Sequence, residues 1–168
     1  MMSLPIIAQT ATLGFAVLLL WAAYSDVRSL TIPNRISVAI VLLYPAYVLA
    51  SPQPVDWLAA LGISGATLGV GFVLFAFRFL GGGDAKLITA AVLWAGPTHL
   101  LSFLFLTALA GGGMAVLLWI RHRMSGAVSP GLFFLSSGDA DFAKQPMPYA
   151  VAIAAGGLYV AFTILSLG

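Results

Sequence analysis

The chain contains no cysteine and no glutamate. Without cysteine there is no disulfide, no thiolate nucleophile and no cysteine-built zinc site. Five aspartates are the whole acidic inventory, and charged residues of both signs make up only 7% of the 168 residues. The His-Glu-x-x-His pattern of zinc proteases and the Gly-x-Ser-x-Gly pattern of serine hydrolases are also missing. No metal site and no cofactor is therefore expected. The formal net charge is +2, but the basic residues sit in short loops. That pattern reads as orientation in a membrane, not as a nucleic-acid surface.

What the chain has in abundance is apolar surface: 61% of residues are hydrophobic, with a mean hydropathy of +1.07. A soluble domain of this length could not bury so much. The hydrophobicity spans the whole chain, which predicts one all-α, polytopic domain over residues 1–168, surrounded by membrane lipid. About six transmembrane helices are expected, one of them short or broken after a glycine turn. They lie near 4–24, 36–50, 57–80, 85–95, 100–120 and 148–167. The first resembles a signal peptide in length, but its positive charges follow the apolar run, so it reads as a retained helix. Pro45 stands inside the second. The spacing Gly65-x-x-x-Gly69 in the third predicts a close helix crossing. The fourth meets Gly96-Pro97 after about 16 Å, half a bilayer.

Six spans place Arg28, Arg35, Arg78, Lys86, Arg121, Arg123 and Lys144 on one side, while the loops 51–56 and 96–99 carry no Lys or Arg. Seven against none is a positive-inside signal, which puts both termini outside and the basic face in the cytoplasm. The connection 125–146, with Phe133, Phe134, Asp139, Asp141 and Lys144, is long enough to serve as a lid or a substrate-contacting loop. Asp56 reads as the N-cap of the third helix. His99 and His122 read as loop and headgroup residues.

Against this background two acidic residues stand out. Asp84 follows Gly81-Gly82-Gly83 and precedes Lys86, where an apolar run stops and another begins. Asp26 lies two spans earlier, so both aspartates return to the cytoplasmic face. An ionisable group beside hydrocarbon is unfavourable by roughly 2.5–3.5 kcal/mol at a helix centre, so each is a candidate for function. Two carboxyls brought together in a partly dry site tend to share one proton. The ionised member can then take a proton from water while the protonated one polarises a carbonyl, which is amide hydrolysis without metal or covalent intermediate. Asp84, near a helix start and close to Lys86, is favoured as the ionised member. Gly83 is expected where a Cβ would block either a left-handed backbone or a close approach.

Two motifs carry a resemblance. Ala23-x-x-Asp26 followed by Ile32-Pro33-Asn34, together with Gly81-x-Gly83-Asp84-x-Lys86-Leu87, resembles the prepilin peptidases, the type IV leader peptidase family of Gly-x-Gly-Asp membrane aspartyl proteases. Pro148-Tyr149 at the head of the last helix is similar too, with Ala150 where glycine is usual. The resemblance implies that Asp26 and Asp84 are the catalytic pair, with Gly81, Gly83, Lys86, Pro33 and Asn34 supporting them. It implies a pilin precursor as partner and substrate, cut at its leader in the bacterial inner membrane. Larger members carry a paired-cysteine loop and also methylate the new N-terminus. This chain lacks that loop and is more similar to the small form serving Flp/Tad-type pili, with no support for methylation. Pro33 is expected to fix the entry of the second helix and Asn34 to cap it. The alternative reading is a small transporter or channel component using intramembrane aspartates.

Overall fold

The computed structural model describes residues 3–126 and 148–167. The first apolar run folds as α1 (Ser3–Ser29), 27 residues and about 40 Å long at 1.5 Å per residue. It continues past the expected stop near Tyr24, so Asp26 is a helical residue and not part of a loop. The helix ends where Leu30 takes a left-handed φ of 51° and returns its N–H to the Asp26 carbonyl at 2.8 Å. Then come α2 (Asn34–Ala50), α3 (Trp57–Ala76), α4 (Gly82–Gly126) and α5 (Tyr149–Leu167). All regular structure among the described residues is helical.

The 45 residues of α4 are not one rod. Gly96 has φ 55° and ψ −168°, a conformation that suits glycine, and Pro97 beside it lacks the N–H to carry the ladder on. The chain turns back there. In the first arm Ala85 lies against Gly71 near the end of α3, and Gly96 lies against Ala60 near its start. In the second arm Thr107 and Phe103 lie against Gly156, and Gly111 against Ala152, which leads back toward the first turn of α5. Asp26 and Asp84 therefore stand at one end of the bundle, and the Gly96 break at the other.

The expectation of six spans is not met as stated. Among the described residues, four helical stretches are long and apolar enough to cross a membrane, namely Pro5–Ser29, Trp57–Ala76, Gly82–Ile120 (broken at Gly96) and Tyr149–Ser166. The helix α2 is shorter at 17 residues, and the first arm of α4 covers only residues 82–95 before the break. At 1.5 Å per residue that arm is about 21 Å long, too short to span alone. It is instead wrapped by protein, with Leu87 and the run from Ala90 to Ala95 all buried.

The helices α3 and α2 pack on α4, which also packs on α5, while α1 packs on α2 and α5. Phe15, Leu19, Ile40, Leu87, Phe103 and Ile153 form the centre of the core, each essentially inaccessible. Gly156 and Gly157 let α5 approach its neighbours: a Cβ on Gly156 would stand 2.7 Å from the Phe103 carbonyl oxygen. The Gly65–Gly69 spacing does not mark such a crossing. A Cβ at either position would meet no described residue within 4 Å, because α3 leans on α4 through Ser64 and Gly71 on another face. The outer surface exposes Leu42, Leu49, Phe72, Phe79, Leu101 and Phe162. Water would not tolerate so much contiguous apolar area, whereas lipid matches it. The chain is a membrane protein.

Candidate active site

Asp26 is the fourth residue from the end of α1 and is only 5% exposed. Its Oδ2 accepts the backbone N–H of Ala150 at 2.9 Å. Ala150 is the second residue of α5, so its N–H is one of the first-turn donors that no carbonyl of its own helix can reach. A carboxylate from α1 thus caps α5, at the positive end of that helix's dipole.

Asp84 comes from the other side of the bundle. Gly81 precedes α4 and accepts the first helical bond, from Ala85 N at 3.0 Å. Asp84 is the third residue of the helix, and its half-buried carboxyl folds back toward the Gly81 N–H, as in a capping box. A Cβ on Gly81 would lie 2.6 Å from Asp84 Oδ2. The carboxyls of Asp84 and Asp26 are close enough to act on each other electrostatically. The two aspartates singled out in the sequence therefore share one site.

The supporting residues are arranged around this pair, not always in the expected roles. Lys86 Nζ donates to Asn34 Oδ1 at 3.0 Å and so ties the start of α4 to the start of α2. Asn34 does not cap α2. It is the first helical residue, and Pro33 holds the cap position in extended conformation (φ −61°, ψ 130°) with no side-chain cap bond. The amide is left for Lys86. Gly83 lies within the first turn of α4, with no left-handed backbone. The close approach is real, however: a Cβ there would come 3.2 Å from Ile32 Cβ in the α1–α2 connection. The left-handed steps near the site belong to Leu30 and Arg78 (φ 61°). At Arg78 the N–H groups of Arg78 and Phe79 return to Phe75 and Leu74, so the turn is completed before the glycines begin.

The α1–α2 connection is braced further. Ser25 Oγ donates to the Thr31 carbonyl at 2.9 Å, and the Ser29 and Thr31 hydroxyls meet at 2.9 Å. Arg28 donates to the Tyr24 hydroxyl at 2.7 Å and lies over its ring. Sequence reasoning missed the Ala150 N–H and the Ile32 contact. The Pro148-Tyr149 helix start was the one signal toward the first. Asp56 does cap α3, accepting Ala59 N–H at 3.1 Å. His99 lies at the far end of the bundle. Residues 125 and 126 of the expected 125–146 connection belong to α4, while 127–146 and the His122 side chain fall outside the described residues.

A search of curated proteins and a search of solved structures each returned no match. The sequence profile of the type IV leader peptidase family matches residues 13–116, more than half of the chain and including both aspartates. The five supporting positions fall within the same stretch. On that match, the chain belongs to the type IV leader peptidase family.

Proposed function

We propose that the protein is an aspartyl endopeptidase that removes the leader of a pilin precursor, with Asp26 and Asp84 as the catalytic pair. The observation that carries this reading is the convergence of two carboxyls, one from the end of α1 and one from the first turn of α4, at one end of the bundle. In this mechanism one carboxyl of the pair is ionised and the other protonated. The ionised carboxyl takes a proton from water, and the resulting hydroxide attacks the scissile carbonyl carbon. The protonated carboxyl donates a hydrogen bond to the carbonyl oxygen as negative charge develops there. Breakdown of the tetrahedral intermediate breaks the C–N bond, and the proton taken from water passes to the departing amine.

The same end of the bundle carries Arg28, Arg35, Arg78 and Lys86, which supports a cytoplasmic setting in a bacterial inner membrane with both termini outside. The absence of cysteine supports the small Flp/Tad-type form acting as a peptidase without N-methylation. The transporter alternative gains nothing from a pair of carboxyls gathered at one end. The test is incubation of the purified full chain with a leader-bearing pilin precursor. Wild type should release the leader, while Asp26→Asn and Asp84→Asn should each lose about 10²–10⁴-fold in rate, the range for a positioned acid or base. A folded variant that keeps most of its activity would remove that residue from the mechanism.

A further inference from the structure

At the end of the bundle away from Asp26 and Asp84, the helices leave a partly open cavity of about 190 Å³. That is room for about six waters at roughly 30 Å³ each, or for one small organic group. The first turns of α1, the end of α2, the 51–56 loop and the break in α4 enclose it. Tyr44 and Tyr47, three residues apart on α2, form one wall. Tyr44 is only 5% exposed, lines the cavity, and makes no hydrogen bond through its hydroxyl to any described residue. A buried phenol is normally partnered, so whatever fills the cavity completes it.

The charge of the cavity is one-sided. Asp56 lines it and lies within electrostatic range of Tyr44. Its Oδ1 is engaged by the Ala59 N–H, and Oδ2 has no partner among the described residues. Among the described residues no Lys or Arg lines the cavity, and His99 is the only other titratable side chain there besides the tyrosines. Trp94 offers no open face to a bulky cation. Phe15 stacks on it at 4.5 Å and Tyr47 at 5.2 Å, and its indole N–H is held by the Ile40 carbonyl at 3.0 Å. Neutral Gln9, Gln53 and Thr98 side chains also line the cavity, and the acceptors set beside its negative charge are one Asp56 carboxylate oxygen and the Tyr44 and Tyr47 phenolic oxygens. A primary ammonium carries three N–H donors and matches that set, whereas a quaternary ammonium carries none.

We propose that this cavity binds a primary ammonium group, held by Asp56, Tyr44 and Tyr47, and that its source is the headgroup of a membrane lipid. The cavity opens where α1, α2, α3 and α5 begin or end, which in a membrane protein is headgroup depth.

The test uses the full chain reconstituted in nanodiscs of mixed phosphatidylethanolamine and phosphatidylglycerol, with retained lipid read by native mass spectrometry. Wild type should keep phosphatidylethanolamine in preference. Asp56→Asn, which still caps α3, and Tyr44→Phe, which keeps the ring, should each weaken that preference. The loss expected for Asp56→Asn is about tenfold or more, as for a hydrogen bond to a charged group. Cleavage of a pilin precursor by these variants should stay at the wild-type rate, because the cavity lies at the other end from the carboxyl pair. Free ethanolamine should displace the lipid and choline should not. Failure of ethanolamine alone would assign the site to the intact lipid. Equal retention of the two lipids, an unchanged preference in either variant, or equal displacement by choline would overturn the proposal.

Discussion

Asp26 Oδ2 and the Ala150 backbone N–H meet at 2.9 Å across 124 residues of chain. The bond joins the last turn of α1 to the first turn of α5, and α1 packs along α5 from there to Leu19 and Gly157. The carboxyl is therefore held by a backbone group on a packed helix. Among the described residues its hydrogen bond comes from the backbone and not from a neighbouring side chain.

Replacing Ala150 separates that positioning from the carboxyl itself. Ala150→Gly keeps the N–H and should retain most of the cleavage rate, with a stability loss of about 0.5–1 kcal/mol for glycine in a helix. Ala150→Pro stays compatible with a first turn but removes the donor. It should lower the cleavage rate at least about tenfold, equivalent to roughly 1.4 kcal/mol of transition-state stabilisation. Thermal unfolding in detergent checks that the variant is folded. A folded Ala150→Pro protein with wild-type turnover would make the bond a structural one only.

Orientation is open to a direct test. A reporter inserted between Gly126 and Gln145 should be cytoplasmic, and one fused after Gly168 should lie on the opposite side. The basis is the clustering of Arg28, Arg35, Arg78 and Lys86 at the end that carries the aspartates. The reverse pattern would place the carboxyl pair away from a cytoplasmic leader.

Arg78 sits in left-handed backbone with φ 61°, the position after a helix where glycine is usual. An L-residue there is disfavoured by roughly 1–2 kcal/mol. Arg78→Gly should therefore be more stable than Arg78→Ala by about 1 kcal/mol, since the two variants lose the same guanidinium and differ in backbone freedom. Equal unfolding temperatures for the pair would mean that the turn relaxes without strain.

The carboxyl pair was legible because charge is so scarce here: Asp26 and Asp84 each interrupt apolar sequence two spans apart. The short fourth segment was legible too, since Gly96-Pro97 can neither continue a ladder nor be ignored. The count of full spans was less so, because hydropathy does not distinguish a helix bathed in lipid from one wrapped by protein, as residues 82–95 are. Asn34 has the composition of a cap but serves Lys86, a partner 52 residues away. Gly65 and Gly69 have the spacing of a crossing, yet the contact falls on the Ser64 and Gly71 face. The Ala150 N–H left almost no trace, since a backbone donor looks the same in every residue. Three successive glycines suggested left-handed geometry, and the chain instead takes that step at Arg78 and begins a regular helix at Gly82.

That displacement changes what the glycines are expected to do. A Cβ on Gly81 would lie 2.6 Å from Asp84 Oδ2, a contact the side chain can relieve only by swinging its carboxyl away. Moving the tip of one side chain disturbs folding little but shifts a reacting group, and misplacement of about 1 Å can lower a rate 10²-fold. Gly81→Ala should therefore keep its unfolding temperature and cleave at least about tenfold more slowly. A Cβ on Gly83 meets Ile32 Cβ at 3.2 Å, so Gly83→Ala pushes on the α1–α2 connection and should also slow cleavage. Shortening the neighbour by Ile32→Ala should recover part of that loss, a coupling readable in a double-mutant cycle. Gly112→Ala, where a Cβ meets no described residue within 4 Å, serves as the control and should cleave normally. Wild-type rates for both Gly81→Ala and Gly83→Ala would reduce the glycine turn to a spacer, and the position of Asp84 would then need another explanation.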